Sequence, residues 1–140
     1  MLIERILVPI DGSEHAEKAL SLALEIAEKH EASVEILTVV PSLITDPEWM
    51  KVYTEKMREQ GGEMLSQALS KSKEYKPDVI ISKRVEEGVV VLKILEIAEK
   101  GNHGLIVMGS RGLGFVQGFL LGSVSSKVVN QAEIPVLIVK

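Results

Sequence analysis

Near its start the chain carries Ile6-Leu7-Val8-Pro9-Ile10-Asp11-Gly12-Ser13, a short apolar run that ends in turn residues. An apolar run of this length is typical of a strand that is buried on both faces of a sheet. Gly12 permits a tight turn, and Ser13 can cap a following helix. Apolar side chains at helical spacing do follow: Ala16, Ala19, Leu20, Ala23, Ile26 and Ala27. The stretch therefore predicts a strand, a turn and a helix.

The same alternation recurs along the chain. Four more apolar runs predict strands: Val34–Val40, Val79–Ile81, Leu105–Met108 and Val136–Val139. Stretches with helical spacing separate them, and we expect the longest, from about Glu48 to Tyr75, to break at Gly61-Gly62. Strands that alternate with helices predict an α/β fold, an open, doubly wound sheet of five mostly parallel strands with helices on both faces.

Length and charge limit the classes of protein to which the chain can belong. Its 140 residues fit one domain, so we treat residues 1–140 as a single unit. A net charge of −4 argues against a nucleic-acid partner, and the lack of cysteine excludes thiol catalysis and thiolate metal sites. The three histidines, His15, His30 and His103, are expected on the solvated surface. Without an apolar leader or a run long enough to span a bilayer, we expect a cytoplasmic protein with no membrane partner.

The residues that follow the strands are the candidates for a ligand-binding site. In an open parallel sheet, ligands bind beyond the carboxyl ends of the strands, where the strand order reverses. Asp11 follows the first strand. Two interpretations stay open: Asp11 or Ser13 simply caps the turn, or the Asp11 carboxylate accepts a hydrogen bond from a ribose hydroxyl.

A glycine-rich segment follows the fourth apolar run and precedes a helix. It holds five of the eleven glycines of the chain: Gly109, Gly112, Gly114, Gly118 and Gly122. In this position backbone amides and a helix N-terminus can cradle phosphate. No Asp or Glu occurs between Lys100 and Ala132. Such an absence is expected around a bound anion, because a carboxylate would repel it. Neither the dinucleotide fingerprint nor the Walker pattern matches, and a flexible loop without a ligand is the alternative.

The spacing of these glycines resembles a known family. Gly109-x-x-Gly112, nine further residues and Gly122-Ser123 is the pattern of the ATP-binding branch of the universal stress protein family. The segments 6–13, 105–112 and 134–139 are also similar to that family, so the resemblance covers the whole chain. It implies strand order 3-2-1-4-5, with a nucleotide in the crevice between strands one and four.

The resemblance also implies which residues surround the nucleotide, which would be ATP, AMP or ADP. Adenine and ribose would lie against Pro9, Asp11 and the backbone of Val39. The ribose and the first phosphates would contact Met108, Gly109, Ser110, Arg111 and Gly112. The outer phosphates would contact Gly122, Ser123, Val124 and Ser125. Mg²⁺ or Mn²⁺ could bridge the phosphates, held by Asp11 or by water alone.

These inferences favour a regulatory, stress-response protein that binds ATP. The segment offers Ser, Gly and one Arg but no carboxylate, so no catalytic residue is assigned. A slow ATPase or an adenylate-chemistry enzyme is one alternative, and an interaction module without a nucleotide is another. The last apolar run, Ile134–Val139, would form a sheet edge, and it predicts a homodimer in which that edge pairs with its own copy.

Two apolar groups have no assigned role. Trp49 and Tyr53 could pack the long helix or cover the adenine as a lid. A second group either anchors the glycine-rich segment or faces a partner: Phe115, Val116, Phe119, Leu120 and Leu121. The chain departs from the family pattern at Gly104, where an acidic residue is frequent, and at residues 88–91, which lack the usual proline.

Overall fold

The structure, a computed structural model, describes residues 3–112 and 121–140. Its elements follow one another as β1 (Arg5–Pro9), α1 (Glu14–His30), β2 (Ser33–Pro41), α2 (Met50–Tyr75), β3 (Ile81–Gly88), α3 (Val90–Lys100), β4 (Leu105–Gly109), α4 (Ser123–Gln131) and β5 (Val136–Val139). All strands are parallel, in the order β3-β2-β1-β4-β5. The predicted fold class and strand order are confirmed.

Two apolar layers hold the sheet between helices. Alternate residues of β1 point to opposite faces, so Ile6 and Val8 pack under α1 and α2 while Leu7 packs under α3 and α4. Each of these three side chains is fully buried. The chain runs from β1 through β2 to β3 on one side and then crosses to β4 on the other. The strand order therefore reverses between β1 and β4, and a crevice opens there.

The third strand differs from the prediction. The apolar run 79–81 predicts a buried strand, whereas β3 covers Ile81–Gly88 and consists mainly of polar and charged residues. β3 pairs with β2 along its whole length and lies at the edge of the sheet. An edge strand needs an apolar side chain only where it meets the core, so it lacks the continuous apolar run by which a buried strand is recognised in the sequence. Within the predicted run, Val79 is buried but Ile80 is exposed.

The long helix also differs from the prediction. α2 runs without interruption from Met50 to Tyr75, so the expected break at Gly61-Gly62 is wrong. Leu65, a fully buried residue of α2, anchors the helix to the core. A Cβ added at Gly61 would lie 3.0 Å from Thr38 Cγ2, whereas one added at Gly62 would meet nothing within 4 Å. Gly61 therefore marks a close approach of α2 to β2 and not a break.

His103 is not on the surface, so that expectation is wrong. Its side chain is 0% exposed, and its Nε2 lies 3.1 Å from Glu35 Oε1. Arg5 and Arg84 approach the same carboxylate, with nitrogen–oxygen distances of 3.9 and 3.4 Å. Burial, followed by the charge of Arg5, lowers the pKa of His103, and Glu35 partly offsets this. The group lies at the amino end of the sheet, away from the crevice.

No helix in the described part of the chain is long and apolar enough to cross a bilayer. Nor do three or more His, Cys, Asp or Glu side chains within residues 3–112 and 121–140 come together as they would around a metal ion.

Candidate functional site

A cavity of about 600 Å³ lies at the carboxyl ends of β1, β2 and β4. This is within the range of small-molecule and cofactor sites. All of the predicted site residues except Ser110 line it: Pro9, Asp11, Val39, Met108, Gly109, Arg111, Gly112, Gly122, Ser123, Val124 and Ser125. The cavity therefore brings together three segments that are more than 100 residues apart in the sequence at their extremes.

The turn after β1 is held by its own polar groups. The Ser13 amide donates to Asp11 Oδ1 at 3.0 Å, and Ser13 Oγ accepts from the Ala16 amide at 3.2 Å, which caps α1. Gly12 has φ +86°, in the left-handed region that favours glycine. Asp11 thus takes part in the turn, and the same carboxylate lines the cavity. The two interpretations of Asp11 are therefore compatible.

Two glycines let the segment after β4 approach the turn after β1. A Cβ at Gly109 would lie 2.7 Å from His15 Cβ and 2.8 Å from the His15 carbonyl carbon. A Cβ at Gly112 would overlap the Asp11 carboxylate. At Gly109 a larger residue would push the two segments apart because it would meet backbone, whereas at Gly112 it would displace the Asp11 carboxylate. Gly109 is therefore a packing requirement of the cavity wall, and Gly112 keeps the Asp11 carboxylate in its place, whatever the cavity binds.

Ser110 plays a different part from the one predicted. It is 2% exposed and lies behind the cavity wall. Its carbonyl accepts from the Gly122 amide at 2.6 Å and from Ser125 Oγ at 2.8 Å, while its own amide donates to the Val139 carbonyl at 2.8 Å. Ser110 thereby ties β4 to the start of α4 and to β5. Ser125 is expected to contact the outer phosphates, but its hydroxyl donates to this carbonyl in the structure.

The N-terminus of α4 opens onto the cavity. Gly122 is its N-cap, no side chain caps it, and no acidic residue lies in its first turn. The first amides of a helix lack acceptors within the helix, and the helix dipole adds a partial positive charge there. Ser123, Val124 and Ser125 supply these amides and line the cavity together with Arg111. The arrangement is suited to an anion.

The backbone of Val39 faces the crevice. Ser33 donates to Glu4 and Leu37 accepts from Ile10, both on the β1 side, while Val34 donates to Ile80 on the β3 side. Odd-numbered residues of β2 therefore direct their backbone groups towards β1. Because β1 ends at Pro9, which pairs with Leu37, the N–H and C=O of Val39 point past the end of β1 into the cavity.

Sequence reasoning missed one wall of the cavity. Met57, Gln60, Gly61 and Met64 line it from α2, and Val90 and Ile94 line it from α3. In the sequence, Met57 and Met64 share an apolar stripe at helical spacing with Leu65, a pattern that by itself predicts only packing against the core. Gly61 is the sequence signal that could have indicated this wall, since it lies on the same helix face and lets α2 approach β2 closely.

Of the two apolar groups without an assigned role, the structure describes Trp49, Tyr53 and Leu121, and none of these three is among the residues that line the cavity. Trp49 is 74% exposed and Tyr53 is 59% exposed, so the structure shows neither a packed aromatic pair nor a closed lid. The residues Phe115, Val116, Phe119 and Leu120 lie outside the described residues. Leu121, just beyond them, is half-buried.

The fold and the cavity define a doubly wound α/β protein with a cavity at the reversal of strand order and a helix N-terminus directed into it. The model of the universal stress protein family matches residues 3–140. The chain belongs to that family.

Relatives and solved structures agree with this assignment. A universal stress protein of Methanocaldococcus jannaschii is 35% identical over 144 residues, which cover 99% of this chain and 83% of the relative. The universal stress protein UspA from Lactobacillus plantarum superposes with a TM-score of 0.87 at 22% identity, covering 100% of this chain and 99% of its own. A universal stress protein solved in complex with cAMP has a TM-score of 0.77 at 26% identity and covers 100% of this chain and 99% of its own.

Proposed function

We propose that this chain binds an adenine nucleotide, ATP in particular, in the cavity between the ends of β1 and β4, and acts as a nucleotide-dependent regulatory protein. The observation that carries the proposal is the uncapped N-terminus of α4, which opens onto the cavity within a segment free of acidic residues. The related structure solved with cAMP supports the choice of an adenine nucleotide.

The proposed pose follows from the three walls of the cavity. The amides of Ser123 and Val124 and the charge of Arg111 would face the phosphates, as helix N-termini and guanidinium groups do. The Asp11 carboxylate would accept from a ribose hydroxyl. The backbone N–H and C=O of Val39 would pair with the adenine edge, which offers a donor and an acceptor side by side. Met57 and Met64 would pack against the face of the base.

A divalent cation would enter with the nucleotide. Asp11 is the one carboxylate among the described residues that line the cavity, so protein carboxylates alone supply too few ligands for Mg²⁺. Phosphate oxygens and water would complete the coordination of Mg²⁺ or Mn²⁺. The same shortage of carboxylates favours a binding protein over the alternative ATPase, because phosphoryl transfer to water needs a group that positions the nucleophile.

Two measurements test the proposal. Isothermal titration calorimetry of the purified protein with ATP, AMP and GTP should show binding of the adenine nucleotides, and mass analysis of the undenatured protein should detect co-purified nucleotide. Single-turnover assays with radiolabelled ATP separate binding from hydrolysis. A lack of binding to any nucleotide would leave the interaction module without a nucleotide as the better interpretation.

A further inference from the structure

Methionine is the only sulfur-containing residue of this chain, and it is concentrated at the cavity. The chain has five methionines and no cysteine, and Met57, Met64 and Met108 line the cavity. Met50, at the start of α2, is not among the lining residues. The proposed nucleotide function gives the methionines a packing role, but it does not address the fact that their thioether sulfurs can be oxidised.

The three cavity methionines differ in access. Met57 and Met64 are seven residues apart on α2, hence on one helix face, and both are partly exposed. Met108 is 6% exposed and packs in the core beneath α3 and α4. Reagents that enter the open cavity therefore reach the two α2 sulfurs first. Met50 is also partly exposed, so it reports the reactivity of a methionine outside the cavity.

Leu65 is fully buried and anchors the α2 wall to the core, so this wall resists outward movement when one of its side chains grows. Gly61 lies so close to Thr38 that an added Cβ would be 3.0 Å from its methyl carbon, so the wall has little room to move inward either. Met64 Sδ lies 3.2 Å from the position of a Gly12 Cβ, so this sulfur is packed against the turn that carries Asp11. An oxygen added to Met64 would therefore project into the cavity or press on that turn.

We infer that Met57 and Met64 form an oxidant-sensitive modification site that lowers nucleotide occupancy when oxidised. The inference rests on the proposed nucleotide function. The oxidant is a peroxide: the thioether sulfur donates an electron pair to one peroxide oxygen, an S–O bond forms, the O–O bond breaks, and the departing oxygen leaves as water after proton transfer. Sulfur loses two electrons and hydrogen peroxide gains them, so one sulfoxide and one water form for each peroxide consumed.

The sulfoxide changes the wall from apolar to polar. A thioether packs favourably against an aromatic ring, whereas a sulfoxide oxygen facing the base would have to give up its hydration. We expect oxidation of both residues to weaken ATP binding about tenfold. Methionine sulfoxide reductases reverse the modification, so the change is a switch and not irreversible damage.

The test combines peptide mass spectrometry with calorimetry. The protein is treated with hydrogen peroxide with and without saturating ATP, and sulfoxide is quantified at each methionine. ATP should slow oxidation of Met57 and Met64 but not of Met50. The affinity for ATP is then measured before treatment, after treatment and after reduction by methionine sulfoxide reductases, which should restore it.

Variants assign the effect to the two α2 residues. In the Met57→Leu/Met64→Leu double variant, peroxide should change the ATP affinity less than twofold, whatever affinity that variant starts with. Met50→Leu should respond to peroxide as the unchanged protein does. The inference fails if oxidised protein carrying both sulfoxides binds ATP as tightly as reduced protein, or if ATP protects Met50 equally. If reduced protein binds no ATP, the proposed function itself fails, and the inference with it.

Discussion

At the scale of single residues, Gly122 gives the most direct test of phosphate binding. A Cβ at this position would lie 3.5 Å from Arg111 Cα and from the Ser110 carbonyl oxygen, an ordinary contact, so the fold tolerates a side chain there. Gly122→Val should nevertheless hinder approach of phosphate to the start of α4. Loss of one charge-assisted hydrogen bond costs about 1.5–3 kcal/mol, or roughly ten- to hundredfold in ATP affinity by calorimetry.

Gly62→Ala is the control for that variant. Gly62 lies on α2 with open space around its Cβ position and does not line the cavity. Its replacement should leave ATP affinity unchanged. If Gly122→Val also binds ATP with unchanged affinity, the phosphates do not lie at the N-terminus of α4.

Val39 tests how the base is recognised. Its backbone groups face the cavity, so the side chain should contribute little to the choice of base. We expect Val39→Thr to alter the ratio of ATP to GTP affinity less than about twofold, measured by competition calorimetry. A large change in this ratio would show that side chains, and not the backbone, recognise adenine.

His103 predicts how stability depends on pH. Because burial and Arg5 lower its pKa in the folded protein, the unfolded chain takes up a proton at a higher pH than the native chain does. Stability from this group is therefore complete above the ordinary histidine pKa and declines as the pH falls below it. The charged groups that act on the ring are Glu35, which contacts it, and Arg5, and Arg84 pairs with the same Glu35 carboxylate.

Thermal unfolding at a series of pH values between 8 and 5 measures this dependence. The loss of melting temperature on acidification should be smaller in His103→Leu than in the unchanged protein. His30→Gln, at an exposed position, should keep the original slope. Equal slopes in the unchanged protein and in His103→Leu would contradict the assignment of the effect to His103.

At the scale of one element, α2 offers two adjacent glycines with opposite surroundings. Alanine is favoured over glycine inside a helix, so Gly62→Ala should raise the free energy of unfolding by about 0.5–1 kcal/mol. Gly61→Ala gains the same preference but brings its Cβ to 3.0 Å from Thr38 Cγ2 on the packed strand β2. We therefore expect Gly61→Ala to be the less stable of the two, as urea unfolding would show. The reverse order would mean that α2 shifts freely over β2.

At the scale of the whole molecule, the exposed edge of β5 predicts a homodimer. β5 is the last strand of the sheet, and its four apolar residues are all only partly buried. Such an edge is protected by pairing with its own copy about a two-fold axis. Leu137→Lys should convert the dimer to monomer or insoluble protein, as size-exclusion chromatography with light scattering would show.

Leu92→Lys is the matched control for the dimer. Leu92 is 59% exposed on α3, away from the sheet edge. This variant should elute as the unchanged protein does. An unchanged protein that is monomeric at tens of micromolar would leave β5 in need of some other cover.

Much of the fold could be predicted because local patterns and global topology agree in it. Strands β1 and β4 are buried on both faces, so each is a largely apolar run, and in β2 the apolar run from Val34 to Val40 is interrupted only by the buried Glu35 and Thr38. Most of β3 could not be predicted, because an edge strand accepts polar side chains at little cost in free energy. Its segment Ser82–Glu87 therefore lacks a continuous apolar run. The uninterrupted course of α2 could not be predicted either, because the local signal there is misleading. Gly61 and Gly62 suggest a break, but the packing of Leu65 overrides this local preference.

The α/β class and the loops after β1 and β4 could be predicted from local sequence, because a close approach of the backbone, as at Gly109, requires glycine and is therefore visible in the sequence. The residues that face those loops from distant segments became known only from the folded structure. It placed Met57 and Met64 of α2 across the cavity, turned Ser110 inward, and buried His103 beside Glu35. The physical reason is that an amphipathic pattern specifies which residues are apolar but not which surface they meet, and a buried polar residue is identified only by a partner far away in the chain.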